Sequence, residues 1–398
     1  MRYLFTTIPG ASHMLPLVPL AHAALAAGHE VAVATSGPAL RAATRAGLQA
    51  IATDDGDAVE PYEELVRTVT RTSVGMTSPG PKTAAYAGSV FGEVGARMVD
   101  GLVDAAREWR ADAVLYPPNH VAGLVAARAT GLPAVLHGIG TPRATFGPGL
   151  EYLAPVAKRL GAGEPREADV ELDLSPASLE AARHSSPTAR VLPRASVPLS
   201  LPMRYLPYNG GAELPLRFVK RGEKPRVVVT LGSLATLYGE GAMLRRIVDG
   251  AADLDIEVIV TTGGTELPAL RHLPDGVTPV DWLPLNAVLP TCDAVVHHGG
   301  MGSTYSAFAA GVPQLGIPLT GLESLSNAQM AVDSGAGLRL ESPHRAPLTP
   351  EAVSTALREL LDNPGYRKVS LEVADEMRDM PTPSTLIGRL TSHLEEIR

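Results

Sequence analysis

Two Rossmann-like, doubly wound α/β domains in tandem are the architecture this sequence predicts, and three observations carry it. Short apolar runs alternate with helix-spaced alanine and leucine in both halves, the pattern of βαβ units on a parallel sheet. The runs are almost continuously apolar, as in strands buried on both faces. A stretch with neither period, RYLPYNGGAELPLRFVKRGEK at Arg204–Lys224, parts the halves.

In the first half the predicted strands are Tyr3–Ile8, Glu30–Thr35, Gln49–Ala52, Ala113–Tyr116 and Ala134–Gly138. Helical spacing covers Leu17–Ala27, Pro38–Ala46, Val94–Trp109 and Ala122–Thr130. Arg204–Lys224, rich in Gly, Pro and charge, reads as a linker. A second series follows: Arg226–Leu231, Glu257–Thr262, Thr278–Trp282, Ala294–His297 and Gln314–Ile317, with helices between. Leu371–Arg398 has a helical pattern broken at MPTPS. The expected division is an N-terminal domain at 1–203, a linker at 204–224, a C-terminal domain at 225–375, and a helix at 376–398 packing back on the first domain. A length of 398 residues suits that plan, at roughly 100–200 residues per domain.

Composition narrows the function. With a net charge of −8 and a pI near 5.8, a basic face for nucleic acid or anionic lipid is not expected. The single cysteine, Cys292, permits no internal disulfide and fits a reducing cytosol, so a cytoplasmic location is expected. RYLFTTIP enters a strand-like run without an apolar leader segment. MLPLVPLAHAALAAG carries two prolines and a histidine and is too short and interrupted to span a bilayer. Membrane insertion is not expected.

The chemistry concentrates in DAVVHHGGMGSTYSAFAAGVPQLGIP, Asp293–Pro318. A buried strand leads into Gly299, Gly300 and Gly302, which allow positive φ and close backbone approach. Ser303 and Thr304 suit the first turn of a helix over Tyr305–Ala310. Free N–H groups and the positive end of the dipole make such a turn an anion site, and His298 beside it can donate to a phosphate oxygen. Glycines that serve helix–strand packing alone are the plain alternative. The histidine and hydroxyls favour phosphate. A dinucleotide fingerprint fits less well: Glu323 lies roughly 20 residues on, where a ribose-binding acid would sit, but Tyr305 takes the third glycine's place. Ligands bind beyond the carboxyl ends of strands in open α/β sheets, so two facing domains make a cleft for a donor and an acceptor.

PGASHMLPLVPL places His13 after the first strand, at the mouth of the N-terminal sheet. An imidazole titrating near 6.5 can take a proton at neutral pH; a capping or exposed histidine is the alternative. His120 and His137, near other strand ends, could line an acceptor pocket. No clustered carboxylates or His/Cys spacing point to a metal.

WLPLNAVLPTCDAVVHHGGMGSTYSAFAAGVPQLGIP resembles the nucleotide-sugar signature of the family 1 glycosyltransferases of GT-B fold. It is most similar to the bacterial enzymes that glycosylate antibiotics: macrolides, aromatic polyketides and enediynes. TTIPGASHMLPLVPLAHAALAAGHEVAVAT, RVVVTLGS and MRDMPTPSTLIGRL extend the resemblance over nearly the whole chain. It implies an inverting transfer from a nucleotide sugar to a hydrophobic aglycone, with no cofactor besides that co-substrate; a homodimer stays open. His13 would be the base. Trp282 would flank the nucleobase, with Leu283 and Leu285 nearby. Gly232 and Ser233 would touch the diphosphate, and His298, Gly300, Gly302, Ser303 and Thr304 would cradle it. Glu323 and Ser324 would meet the sugar.

Three departures from the family pattern bear on mechanism and specificity. Pro117 stands where many members carry the aspartate that orients the histidine, which leaves Asn119, His120 or a carboxylate from elsewhere as the substitute. Ser306 replaces the acid that grips ribose hydroxyls in UDP-sugar users, which fits a dTDP-sugar. Glu323-Ser324 replaces an Asp-Gln pair on the sugar hydroxyls, which fits a deoxysugar or aminosugar unless other side chains fill in. The irregular stretches Asp54–Ser89 and Gly140–Arg194 are the expected acceptor loops. Tyr62, Met76, Tyr86, Phe91, Met98 and Phe146, together with His120 and His137, are the acceptor-side candidates. Two rival functions are a GT-B sugar-nucleotide epimerase and a non-catalytic auxiliary protein. Pro117 and Ser324 speak against the first, His13 and the intact phosphate motif against the second.

Overall fold

A computed structural model describes residues 1–72, 81–140, 143, 145–164, 167–180, 198–232, 241–264, 270–319, 323–341 and 346–398. The first half runs β1 (Arg2–Thr6), α1 (Ala11–Met14), α2 (Val18–Ala26), β2 (Glu30–Thr35), α3 (Gly37–Arg45), β3 (Gln49–Ala52), α4 (Val59–Thr72) and α5 (Pro81–Glu108). It continues with β4 (Ala113–Tyr116), α6 (Ala122–Thr130), β5 (Ala134–His137), α7 (Phe146–Arg159), β6 (Val170–Asp173) and β7 (Leu199–Pro202). The second half runs β8 (Arg226–Thr230), α8 (Gly241–Ala252), β9 (Glu257–Thr261), β10 (Val277–Val280), α9 (Leu285–Val288), β11 (Ala294–His297), α10 (Met301–Ala310), β12 (Gln314–Gly316), α11 (Glu323–Asp333) and β13 (Gly337–Arg339). Three helices close the chain: α12 (Pro350–Asp362), α13 (Pro364–Asp379) and α14 (Pro383–Glu396).

Strands β3-β2-β1-β4-β5-β6-β7 form one sheet and β10-β9-β8-β11-β12-β13 the other. Every pairing in both is parallel. Central strands are buried along their length, AVLY in β4 and AVVH in β11 among them, because helices cover both faces. The winding reverses at β1/β4 in the first sheet and at β8/β11 in the second.

The last three helices begin alike. Thr349, Asn363 and Thr382 accept from the backbone N–H of Ala352, Gly365 and Thr385, and each is followed by proline at the first helical position. The side chain satisfies an orphan donor, and proline costs nothing where no intrahelical bond is made. Helix α13 runs unbroken through the 375/376 boundary expected from sequence. It stops only at Met380, because Pro381 and Pro383 cannot continue it. Helix α14 then lies on the first half: Leu386, Ile387, Leu390 and Leu394 join the core of Tyr3, Phe5 and Leu17, and Thr391 Oγ1 is 2.7 Å from Tyr3 Oη. The same apolar cluster holds Tyr305, Phe308 and Met330 of the second half, so the two halves share a buried seam. Among the described residues no helix is long and apolar enough to cross a membrane.

Candidate active site

At each reversal of winding the loops leaving two neighbouring strands diverge and open a crevice. His13 follows β1 and Asn119 follows β4; Gly232 follows β8 and His298 follows β11. The two crevices meet in one pocket. Ser12, His13, Leu15 and Ile139 line it from the first half. Gly232, Trp282, Leu283, His298, Gly300, Gly302, Ser303, Glu323 and Ser324 line it from the second.

His13 sits in the last turn of α1, with its ring Nδ1 3.0 Å from Asn119 Nδ2. Pro117 explains why Asn119 arrives there. The His120 N–H donates to the Pro117 carbonyl at 2.9 Å, closing a turn that carries Asn119 back over β1. Of the substitutes the sequence offered for the missing aspartate, Asn119 is the one that meets the ring among the described residues. Tyr62 stands edge-on to the imidazole, ring centres 6.0 Å apart. Desolvation lowers the His13 pKa to about 4, so the ring is neutral at physiological pH. His120 is fully buried with Nε2 3.0 Å from Thr6 Oγ1; burial first, and the neighbouring His13 second, bring its pKa to about 3.

The glycine turn is shaped around His298. A Cβ on Gly232, whose φ is +73°, would lie 2.5 Å from His298 Cε1. One on Gly300 would lie 2.3 Å from His298 Nε2. The imidazole is therefore held between two backbones that only glycine leaves open. Gly299 has φ +83°, and a Cβ there would strike the Ser324 carbonyl at 2.2 Å. Desolvation, with His297 second, lowers the His298 pKa to about 3, so it can donate to an anion but does not form an ion pair. His297 does different work on the other side of the strand. Its Nδ1 accepts from Gly299 N–H at 3.0 Å, which leaves Nε2–H to donate to Gln314 Oε1 at 2.8 Å. Asn327 Nδ2 donates to the Gly299 carbonyl at 2.9 Å. The turn is thus pinned from β12 and α11 together.

Helix α10 starts at this turn with Gly300 as its N-cap. The described lining holds Asp281 and Glu323 and no lysine or arginine. An anion here is met by helix N–H groups, the dipole and a neutral imidazole. Glu323 is enclosed: desolvation raises its pKa, and hydrogen bonds from the Met301 backbone and the Asn327 side chain hold it partly back. Thr304 does not face the pocket. It is fully buried and its hydroxyl donates to the Gly300 carbonyl at 3.0 Å, closing the first turn of its own helix.

The linker supplies what the motifs do not show. Trp282, 41% exposed, donates its Nε1–H to the Asn209 carbonyl at 2.8 Å. Asn209 Oδ1 accepts from Asn286 N–H at 3.0 Å, and its Nδ2 donates to Ser306 Oγ at 3.4 Å. Asn209, Tyr205 and Tyr208 line the pocket, while Ser306 lies fully buried behind them. No sequence signal marks Asn209, which sits in an aperiodic stretch. His297 had one: alternation along a strand sends neighbouring side chains to opposite faces, so only one of the paired histidines can meet a ligand.

The acceptor-side candidates scatter. Tyr62 reaches His13. Met98 and Phe146 are core residues and Phe91 packs against that core, where α5 packs on α6 and α7. Tyr86 is exposed on α5. His137 is buried, donates Nδ1–H to the Gly138 carbonyl at 2.7 Å, and is brought by desolvation to about 4. None of these six lines the described pocket, and neither do His120 and Thr304. Met76 and Ser233 lie outside the described residues. Among the described residues no group of three or more His, Cys, Asp or Glu side chains is placed to hold a metal ion.

Comparison with known proteins agrees with this geometry. The family models for the N- and C-terminal domains of erythromycin biosynthesis protein CIII-like proteins match residues 22–232 and 245–393. The elloramycin glycosyltransferase of Streptomyces olivaceus is 36% identical, over 98% of this chain and 97% of its own. The aclacinomycin-T 2-deoxy-L-fucose transferase of Streptomyces galilaeus is 32% identical, over 100% of this chain and 97% of its own. The structure of the Streptomyces sp. SF2575 glycosyltransferase SsfS6, complexed with thymidine diphosphate, superimposes with a TM-score of 0.79 at 27% identity, covering 99% of both chains. With two facing parallel-sheet domains of GT-B type and matches over nearly its full length, the chain belongs to the erythromycin biosynthesis protein CIII-like family and is a glycosyltransferase of the antibiotic-modifying kind.

Proposed function

We propose that this glycosyltransferase moves a deoxysugar from a dTDP-sugar to a hydroxyl of a hydrophobic natural product, with inversion at the anomeric carbon. The observation that carries the reading is the meeting of His13 and the His298–Ser303 turn in one pocket, each at the reversal point of its own sheet.

His13 acts as general base. Its Nε2 takes the acceptor proton as the acceptor oxygen bonds to the anomeric carbon and the bond from that carbon to the diphosphate oxygen breaks. Asn119 orients the ring. An asparagine amide presents either end. With Oδ1 toward the imidazole it accepts from Nδ1–H, and the Nε2 lone pair then faces the acceptor. The departing diphosphate gains charge where the N–H groups of α10 and the His298 donor are already aimed, so no reorganisation is needed in the transition state.

The nucleotide side rests on Trp282, Leu283 and Asn209. Ser306, buried behind Asn209, offers no carboxylate to ribose hydroxyls, and the neighbour complexed with thymidine diphosphate supports a thymidine nucleotide. Glu323 with the short Ser324 meets a sugar with fewer hydroxyls, in keeping with a relative named as a 2-deoxy-L-fucose transferase. Side-by-side calorimetry with dTDP and UDP tests this: dTDP binds at least as tightly. Replacing His13 with alanine lowers turnover by about 10²–10⁴-fold and leaves dTDP affinity unchanged. A strong preference for UDP, or full turnover in the variant with chemistry rate-limiting, would refute the corresponding half of the proposal.

A further inference from the structure

Helix α10 begins as the phosphate-binding turn and, one turn later, reaches into the other half of the molecule. Tyr305 is fully buried. Its hydroxyl donates to the Gly140 carbonyl at 3.0 Å and lies 2.9 Å from Ser175 Oγ. Because a phenol has one hydrogen, Ser175 is the donor in the second bond. Gly140 has φ +71°, and a Cβ there would fall 2.3 Å from Tyr305 Cζ, so the ring rests directly on that backbone. Tyr205 and Phe308 hold it edge-on, with ring centres at 5.4 and 6.3 Å. The residue before Gly140 is Ile139, which lines the cleft.

We infer that Tyr305 is a positioning residue that sets the acceptor-side wall at Ile139 in register with the phosphate-binding turn, so that nucleotide bound at α10 also orders the loop after β5. The inference rests on the reading of His298–Ser303 as the diphosphate site. A packing role alone would be served equally by phenylalanine. The hydroxyl adds two directed bonds across the seam, and bonds with fixed partners set a position in a way that apolar contact does not.

The test is hydrogen exchange with dTDP as the probe, on wild type and Tyr305→Phe. In wild type dTDP slows exchange at residues 299–304 and also at 138–140. In the variant, which keeps the ring and the fold, slowing at 299–304 persists and slowing at 138–140 falls by about tenfold, the scale of one or two lost hydrogen bonds. Ser175→Ala, which removes one bond only, gives a smaller loss at the same loop and covers the case in which the first variant fails to fold. Equal loop protection in wild type and variants would overturn the inference, as would a protected turn with an unprotected loop in wild type. If calorimetry and exchange show no dTDP binding at the turn, the diphosphate reading itself falls and the inference falls with it.

Discussion

Asn119→Asp should move the acid limb of the pH–rate profile upward without removing the base. In wild type, desolvation brings His13 to about 4, and the neutral amide of Asn119 at 3.0 Å adds no charge to pull it back. The base works only when unprotonated, so kcat/KM, which reports the free enzyme, should hold level from pH 8 to about 5 and fall near 4. A carboxylate in the amide's place favours imidazolium. An opposite charge at such range raises a pKa by about 1–3 units, which puts the variant's limb at about 5–7. At pH 5.5 wild type keeps its rate, while a variant with its limb at about 6, the middle of that range, has lost roughly three quarters of it; at pH 8 the variant is at least as fast, because its imidazole is the stronger base. The assay is steady-state transfer over pH 4–9 with donor held subsaturating, with circular dichroism at each pH to show that the fold persists. A wild-type limb near 6.5, or an unmoved limb in the variant, would refute the pairing of Asn119 with His13.

Two further outcomes follow from the same geometry. His298→Ala removes a donor to the diphosphate and should weaken dTDP binding by about 1.5–3 kcal/mol, the value of a hydrogen bond to a charged group; unchanged affinity in calorimetry would sink the assignment. Five enclosed histidines, His13, His120, His137, His297 and His298, have pKa values below the ordinary one. The unfolded chain therefore binds more protons than the folded one below about pH 6.5, and stability is lost as pH falls from there toward 4, by up to about 1.4 kcal/mol per unit for each. Melting temperatures that stay flat between pH 7 and 5 would contradict this.

The parts legible in the sequence are those whose physics is local. β11, the glycine turn and α10 announce themselves within ten residues, because a buried strand, positive-φ glycines and a helix start each require particular residue types there. The parts that could not be read depend on where distant segments meet. Asn209 gains its place from Trp282 and Asn286, more than seventy positions on, and nothing in YNGG marks it. Thr304 seemed as available as Ser303, but the 100° step between helical neighbours turns it inward. Phe146 looked like an acceptor contact because its surroundings read as irregular; a helix forms there and buries it. The partner of His13 was legible as a gap at Pro117, and only the turn from Pro117 to His120 decides that Asn119 fills it.

The low basicity of His13 has a mechanistic consequence. Against an ordinary imidazole, a value near 4 forfeits about 2.5 units of proton affinity, or roughly 3 kcal/mol of driving force at about 1.4 kcal/mol per unit. The carboxylates of the described lining, Asp281 and Glu323, do not regain it, since desolvation is what sets the His13 pKa and no charge offsets it. The donor substrate does. A diphosphate at the α10 turn carries negative charge into a poorly solvated cleft, and imidazolium formation at His13 becomes more favourable by Coulomb attraction across it. As the glycosidic bond to phosphate breaks, negative charge grows on one wall while positive charge grows on the other, so the attraction is strongest in the transition state, where it lowers the barrier. The base is then weak without donor and stronger with it. The acid limb of kcat, which reports the ternary complex, should accordingly lie above that of kcat/KM measured with donor subsaturating. Coincident limbs would mean that the two walls do not sense each other's charge.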